Sequence, residues 1–280
     1  MLIDLHAHST ASDGTDPPAG VVEAAATAGL DVVALTDHDT TAGWAEASAE
    51  AHRSGVTVVL GTEISARWDG ISVHLLSYLQ DPGHPALVAE IERTRAVRLV
   101  RARTMVELLG EDYGLTWEDV MAQTGADATV GRPHIADALV ARGVVVDRSA
   151  AFATMLVPSS RYYVPHYAPD AVDAVAAIRA AGGVPVFAHP GADTRGRVVP
   201  EAAIEELADA GLAGLEVHHR DHSPLQVARL TALADRLGLL VTGSSDYHGA
   251  GKPNLLGENT TAPAVLARIA EQGTTAVVRP

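Results

Sequence analysis

His6 and His8 stand two residues apart at the end of the apolar run 2–5, and Asp13 follows five residues later. On a strand, side chains two apart share a face, so both imidazoles project together and form a ready clamp for a metal ion. Taken alone, a pair of hydrogen-bonded histidines explains the motif as well. The sequence repeats the chemistry, however. "LTDHD" carries His38, "GTEIS" carries Glu63, an apolar run contains His74, "VFAHPG" carries His189, "EVHHRDH" carries His219 and His222, and "GSSDYHG" carries Asp246 and His248. Each has a simple alternative, such as a buried histidine bonded to a carbonyl or an Asx turn. A core of small aliphatic residues has no reason to gather so many imidazoles and carboxylates unless cations neutralise them.

The elements that must position these residues read as strands alternating with helices. Short β-rich runs fall at 2–6, 31–36, 56–62, 71–78, 184–188, 213–217 and 239–243, with a final candidate strand at 274–279. Between them lie helix signals: Pro17 and Pro18 before an alanine-rich stretch closed by Gly29, Asp170 before 171–183, and Pro200 before 201–212. Strand, helix, strand in repetition predicts a parallel sheet with right-handed crossovers, here a barrel of the (β/α) type with seven units. In such barrels chemistry collects at the C-terminal ends of the strands, where these motifs fall. The alternation stops over 86–165, a helical span with no convincing strand before "YYVP" at 162–165. The expected organisation is a barrel from 1–85 and 166–280, interrupted by a helical insertion at 86–165 that serves as a lid or substrate-binding part. The arginine series from 93 to 103 within it fits either substrate contacts or a solvated helix face.

Composition narrows the chemistry. Cysteine is absent, which excludes disulfides, thiolate metal sites and cysteine nucleophiles and leaves His, Asp and Glu as the strong ligands. The formal charge is −15, a surface that repels long polyanions, so long duplex nucleic acid is not an expected partner. Within 86–165 nine arginines face ten acidic residues, so the insertion is nearly neutral in an acidic chain. Lys252, the sole lysine, follows "DYHGAG". Neither a leader segment nor a membrane-spanning run is read, and the expected location is the cytoplasm.

Together, "HAHSTASD", "LTDHD", "GTEIS", the histidine of strand four, "AHPG" and "SSDYHG" resemble the PHP superfamily, named for polymerase and histidinol phosphatase. "GRPHIADALV", "YYVP" and "EVHHRDHSP" are similar to its stand-alone phosphoesterase branch, which acts on nucleoside phosphates or on 5′ ends of short RNA and DNA. The resemblance spans the chain and implies a distorted (β/α)7 TIM-like barrel with a trinuclear centre of manganese, iron or zinc. It implies one ion on His6, His8, Glu63 and Asp246, a second on Asp13, His38 and His248, and a third on His74 and His189, with Glu63 bridging. Water activated by such ions attacks the ester, and the ions stabilise the charge that develops. Arg132 and His134 of "GRPH", with Arg197 and Lys252, are candidates for phosphate recognition. Arg195 is a further candidate. His219 and His222 are candidates to protonate the leaving oxygen. Relatives carry an aromatic at the position of His218, so no catalytic role is expected there.

The expected activity is hydrolysis of nucleotide phosphate esters, such as 3′,5′-bisphosphates or AMP-like monoesters, with 5′–3′ exonucleolysis of short RNA or DNA as the alternative. Histidinol-phosphate hydrolysis and a non-catalytic metal-binding module rank lower. Amide hydrolysis shares the fold type, but that class commonly bridges its metals with a carbamylated lysine.

Overall fold

A computed structural model describes residues 1–125, 128–165 and 167–280. The first half of the barrel is β1 (Ile3–Ala7), α1 (Pro18–Thr27), β2 (Val32–Leu35), α2 (Trp44–Ser54), β3 (Thr57–Trp68) and β4 (Ile71–Tyr78). Four helices follow: α3 (Pro85–Tyr113), α4 (Trp117–Met121), α5 (Arg132–Ala141) and α6 (Arg148–Thr154). The chain then returns through α7 (Ala171–Ala180), β5 (Val184–Phe187), α8 (Glu201–Asp209), β6 (Gly214–His218), α9 (Pro224–Leu237), β7 (Leu240–Gly243) and α10 (Pro263–Gln272).

The strands form one sheet in sequential order from β1 to β7. A bridge between Ala7 and Tyr247, with the His8 N–H donating to the Tyr247 carbonyl at 2.8 Å, brings β1 back toward β7 and nearly closes the barrel. Helices start where the sequence predicts. Pro18 opens α1 and Gly29 follows it at φ +77°, the Asp170 side chain accepts from the Val172 N–H at the start of α7, and Pro200 precedes α8.

Four expectations about the strands are corrected. The sheet is not parallel throughout, because β4 runs antiparallel to both β3 and β5. Its cause lies in Asp69 and Gly70, a two-residue turn with φ of 44° and 74° that pairs Trp68 with Ile71. Asp-Gly between apolar strands is the hairpin signal, because both positions need left-handed backbone. As a result β3 extends well past the expected end at residue 62, and Glu63 lies inside the strand. The final strand at 274–279 is reduced to one bridge, between Val278 and Val58, and 162–165 is not a strand.

Inside the barrel, Ile3, Leu5, Val59, Leu76, Tyr78 and Val186 pack together, and the Tyr78 hydroxyl donates to the Leu5 carbonyl at 2.8 Å. Burying each such aliphatic side chain stabilises the fold by about 1.5–3 kcal/mol. Between β4 and β5, the four helices enclose a separate cluster that includes Met105, Leu109, Ile135, Leu139 and Leu156.

Candidate metal centre

The strand ends deliver the histidines and carboxylates to one buried spot. His6 and His8 come from the end of β1, His38 from the turn after β2, Glu63 from β3, and His74 from the first half of the antiparallel β4. His189, Asp246 and His248 follow β5 and β7. His189 and Asp246 have left-handed backbones, with φ of 35° and 56°. Strained backbone of this kind persists where the surrounding structure fixes it, and here it aims side chains at a common point.

Glu63 is the hub. Its Oε2 lies 3.2 Å from His6 Nε2, 3.0 Å from His8 Nε2 and 3.2 Å from His38 Nδ1. Its Oε1 lies 2.8 Å from His74 Nδ1 and 3.3 Å from His189 Nε2. Asp246 Oδ1 stands 3.5 Å from His6 Nε2 and 3.4 Å from His8 Nε2. Asp13 Oδ1 stands 3.2 Å from His248 Nε2, and its Oδ2 is 3.9 Å from His38 Nε2.

Ligand atoms thus fall into three groups whose members lie within 4.8 Å of one another: His6, His8, Glu63 and Asp246; His8, Asp13, His38 and His248; and His38, Glu63 and His74. His8, His38 and Glu63 each serve two groups, and His189 joins them through Glu63 and through ring contacts with His6 and His74.

These atoms are close without being satisfied. His38 Nδ1, His74 Nδ1 and His248 Nε2 are buried and make no hydrogen bond, although a carboxylate oxygen is within 3.2 Å of each. Lone pairs that converge without pairing suit a shared cation. Charge supports the same fit. Burial works against a proton on His6 and His8, yet the carboxylates around them outweigh it, raising His6 well above its usual range and His8 to about 9. Burial, reinforced by Lys252 and His8, lowers His248 to about 4, and burial with Arg195 lowers His189 to about 3. The carboxylates thus call for positive charge at this spot, the charge that a divalent ion would bring.

A second ring of side chains holds the first. Glu216 Oε1 accepts from His6 Nδ1 at 2.9 Å and its Oε2 accepts the His189 N–H at 2.7 Å, which turns His6 Nε2 toward Glu63. Asp37 accepts from the Ser9 N–H at 2.8 Å and from Ser12 Oγ at 2.6 Å, bracing the turn that carries Asp13.

The PHP domain profile matches residues 4–116. Over 99% of its length the chain is 36% identical to a 3′,5′-nucleoside bisphosphate phosphatase of Chromobacterium violaceum, covering 98% of that protein. It is 34% identical to a 5′-3′ exoribonuclease of Haemophilus influenzae, over 88% of this chain and 89% of the relative. An inferred metal-dependent phosphoesterase from Bifidobacterium adolescentis superposes with a TM-score of 0.95 and 46% identity, over 97% of this chain and 96% of the other. The chain belongs to the PHP family.

This PHP protein is a phosphoesterase, a hydrolase of phosphoric ester bonds, and it carries histidine, aspartate and glutamate groups able to bind metal ions. Its site opens into a cavity of about 770 Å³. In a protein of charge −15, eight arginines and Lys252 line this cavity against two carboxylates, Asp13 and Asp221. That local reversal of sign draws in an anion.

The candidates outside the ligand cluster fare differently. Arg132 and Arg197 line the cavity. Lys252 lines it too, with Nζ 3.0 Å from Asp246 Oδ2, and Arg195 contacts the same oxygen at 2.7 Å. His134 does not reach the cavity: its Nδ1 accepts the Gly131 N–H at 3.1 Å, capping its own helix. His222 is also engaged, with Nδ1 donating to the Val217 carbonyl at 2.8 Å and Nε2 accepting the Gly191 N–H at 3.0 Å, so no ring N–H is free to protonate a leaving group. His219 accepts the Asp221 N–H on Nδ1 and leaves a buried, unpaired Nε2 3.8 Å from Asp246 Oδ2. Five arginines absent from the sequence-based site also line the cavity: Arg67, Arg98, Arg101, Arg148 and Arg220. Three-residue spacing within α3, which places Arg98 and Arg101 on one helix face, was the available signal for two of them.

Proposed function

We propose that this PHP protein hydrolyses a phosphate ester of a nucleotide, a nucleoside mono- or bisphosphate, and that the likeness to exoribonucleases favours short 5′-phosphorylated oligonucleotides as a second substrate. The observation that carries the reading is a convergence of unsatisfied imidazoles and carboxylates at the floor of a cavity walled by cations.

Three divalent ions, manganese, iron or zinc, fit the donor set: one on His6, His8, Glu63 and Asp246, one on Asp13, His38 and His248 with His8 alongside, and one on His74 and His189 with Glu63 between. Carboxylate and imidazole donors without sulfur suit these ions. When bound, they supply Lewis acidity that polarises the ester and makes water acidic enough to attack at neutral pH. The protein's own groups do the rest. Glu216 fixes the ring of His6. Arg195 and Lys252, already at Asp246, hold positive charge beside the phosphoryl oxygens, and Arg132 and Arg197 contact the substrate from the walls. His219 Nε2 carries a proton toward the rim and serves as the candidate donor to the leaving oxygen, while His222 positions the loop of Gly191. The span 86–165 acts as the substrate-binding part. We place the reaction in the cytoplasm.

The test uses chelator-treated protein reloaded with manganese, presented with nucleoside mono- and bisphosphates and 5′-phosphorylated di- to pentanucleotides. Turnover of at least one class, with metal analysis giving three ions per chain, is expected. Loaded protein inert to every one of them overturns the reading, as does activity that survives replacement of both Asp13 and His38.

A further inference from the structure

Asp13 stands in the loop between β1 and α1, with no strand of its own to aim it. The barrel braces this loop at Ser9 and Ser12 through Asp37. It does so again at Thr15, whose N–H donates to the His248 carbonyl at 3.1 Å and whose Oγ1 accepts the Ala250 N–H at 2.8 Å. The carbonyls of Ala11, Ser12 and Asp13 find their donors elsewhere. All three donors come from the inserted span.

The Ala11 carbonyl accepts the Thr129 N–H at 3.1 Å, and the Asp13 carbonyl accepts from Arg148 Nη1 at 3.1 Å. Between them, the Ser12 carbonyl accepts from the buried ring of His134. Burial pulls His134 below its usual range, so the ring is neutral; with Nδ1 accepting from Gly131, its one proton sits on the other nitrogen and faces Ser12. Arg148 is fixed at its far side as well. Its Nε and Nη2 donate to the two carboxylate oxygens of Asp137 on α5, each at 2.5 Å, a bidentate pair that spends the fork an anion would otherwise meet. The same guanidinium lies against Gly251, three residues beyond His248, where any side chain would run into it. Arg148 therefore sits between the backbone that carries Asp13 and the backbone that carries His248, two members of one ligand group. Buried loop carbonyls require partners, and here the partners belong to a different part of the fold from the ligands they serve.

We propose that His134 and Arg148 are positioning residues for Asp13, so that the inserted helices complete, from outside the barrel, the metal position formed by Asp13, His38 and His248. The inference rests on the metal-dependent reading above and adds what aims one of its ligands. Hydrogen bonds behind a ligand commonly change metal affinity by about 10- to 100-fold. By linkage, whatever the insertion contributes to binding that ion, the ion returns to the insertion.

Competition titration of manganese into chelator-treated protein reads the effect. Arg148→Gln is expected to weaken one ion about tenfold and to leave the others within twofold. Leu139→Ala, which loosens the same helices without touching the loop, should leave every ion within twofold and so separates aim from stability. In the wild-type protein, manganese should slow hydrogen exchange of the Thr129 N–H by a factor similar to that lost in Arg148→Gln. Affinities in Arg148→Gln that stay within twofold of wild type overturn the positioning role and leave the metal centre intact, as does weakening shared equally by all ions. Should that variant not fold, Thr129 exchange indifferent to manganese overturns the role by itself. Wild-type protein that binds no manganese overturns this inference together with the reading it rests on.

Discussion

Two regions face each other across the cavity with opposite deficits. At the rim, Glu63, Asp13 and Asp246 sit among histidines whose ring nitrogens converge on them. Across from it, Arg67, Arg101 and Arg132 crowd together without an acid. One side gathers carboxylates that, among the described residues, only Arg195 and Lys252, both at Asp246, offset with fixed positive charge, and the other gathers guanidiniums without acids, although the rim is built on barrel strands and most of the wall on the helices between β4 and β5. Such complementary frustration is tolerated because the barrel and the inserted helices each have a hydrophobic cluster of their own, and neither relies on the polar surfaces for cohesion. In the function proposed above, ions held at the rim would take the phosphoryl group, and the arginine wall would contact the rest of the substrate.

The sharpest way to break the contrast is to remove the hub of the rim. Glu63→Gln keeps the shape and loses the charge that five imidazoles approach. Loss of at least about 4 kcal/mol of transition-state stabilisation, roughly 10³-fold in kcat/KM, is expected. Metal analysis should show ions missing from the variant; full metal content with unchanged turnover would falsify the hub assignment.

A smaller effect separates the frameworks. Leu139 is fully buried in the inserted helices, and Leu139→Ala should cost about 3 kcal/mol there. Hydrogen exchange should report faster opening of α5 while manganese uptake at the rim persists. Uptake lost in step with α5 would mean that the two regions are one cooperative unit.

Next in size is the support of the rim. Glu216→Gln removes the charge that orients His6 and the backbone of His189, and should weaken metal affinity by roughly 10- to 100-fold with little change in folding stability. A competition titration against a metallochromic indicator measures it, and an affinity within twofold of wild type contradicts the orienting role.

Much of the rim was legible because ligand chemistry restricts residue type and strand periodicity restricts placement. His6 and His8 could only share a face, and the motifs ending successive strands had to meet at one end of a barrel. The direction of β4 was also written in the chain, in Asp69–Gly70, but helix-strand alternation dominated the reading and His74 was placed on a parallel strand. Two histidines misled for another reason. His134 and His222 look like reactive imidazoles in a string of letters, and only three-dimensional proximity shows the backbone of Gly131 engaging Nδ1 of His134 and that of Gly191 and Val217 engaging both ring nitrogens of His222. The arginines of α3 were ambiguous because periodicity tells which residues share a helix face and not what that face meets: Arg98 and Arg101 turn to the cavity, whereas Arg103 lies over Trp117 and Arg93 over Tyr167.

The smallest expected effect gives the finest view of how far the regions are coupled. Thr116 caps α4 in the insertion by accepting the Asp119 N–H at 3.2 Å, with the Asp119 carboxylate returning to the Thr116 N–H at 2.9 Å, and Asp170 caps α7 against the barrel at 2.9 Å to the Val172 N–H. Thr116→Ala and Asp170→Ala should each cost about 1 kcal/mol, since each strands one helix-terminal N–H. Equal costs make the pair informative. If the inserted helices open on their own, the Thr116 variant speeds exchange only in that span and leaves the melting transition of the barrel in place, while the Asp170 variant shifts the main transition. Identical exchange patterns across both spans would show a single cooperative fold, and the wall could then not be retuned without disturbing the rim.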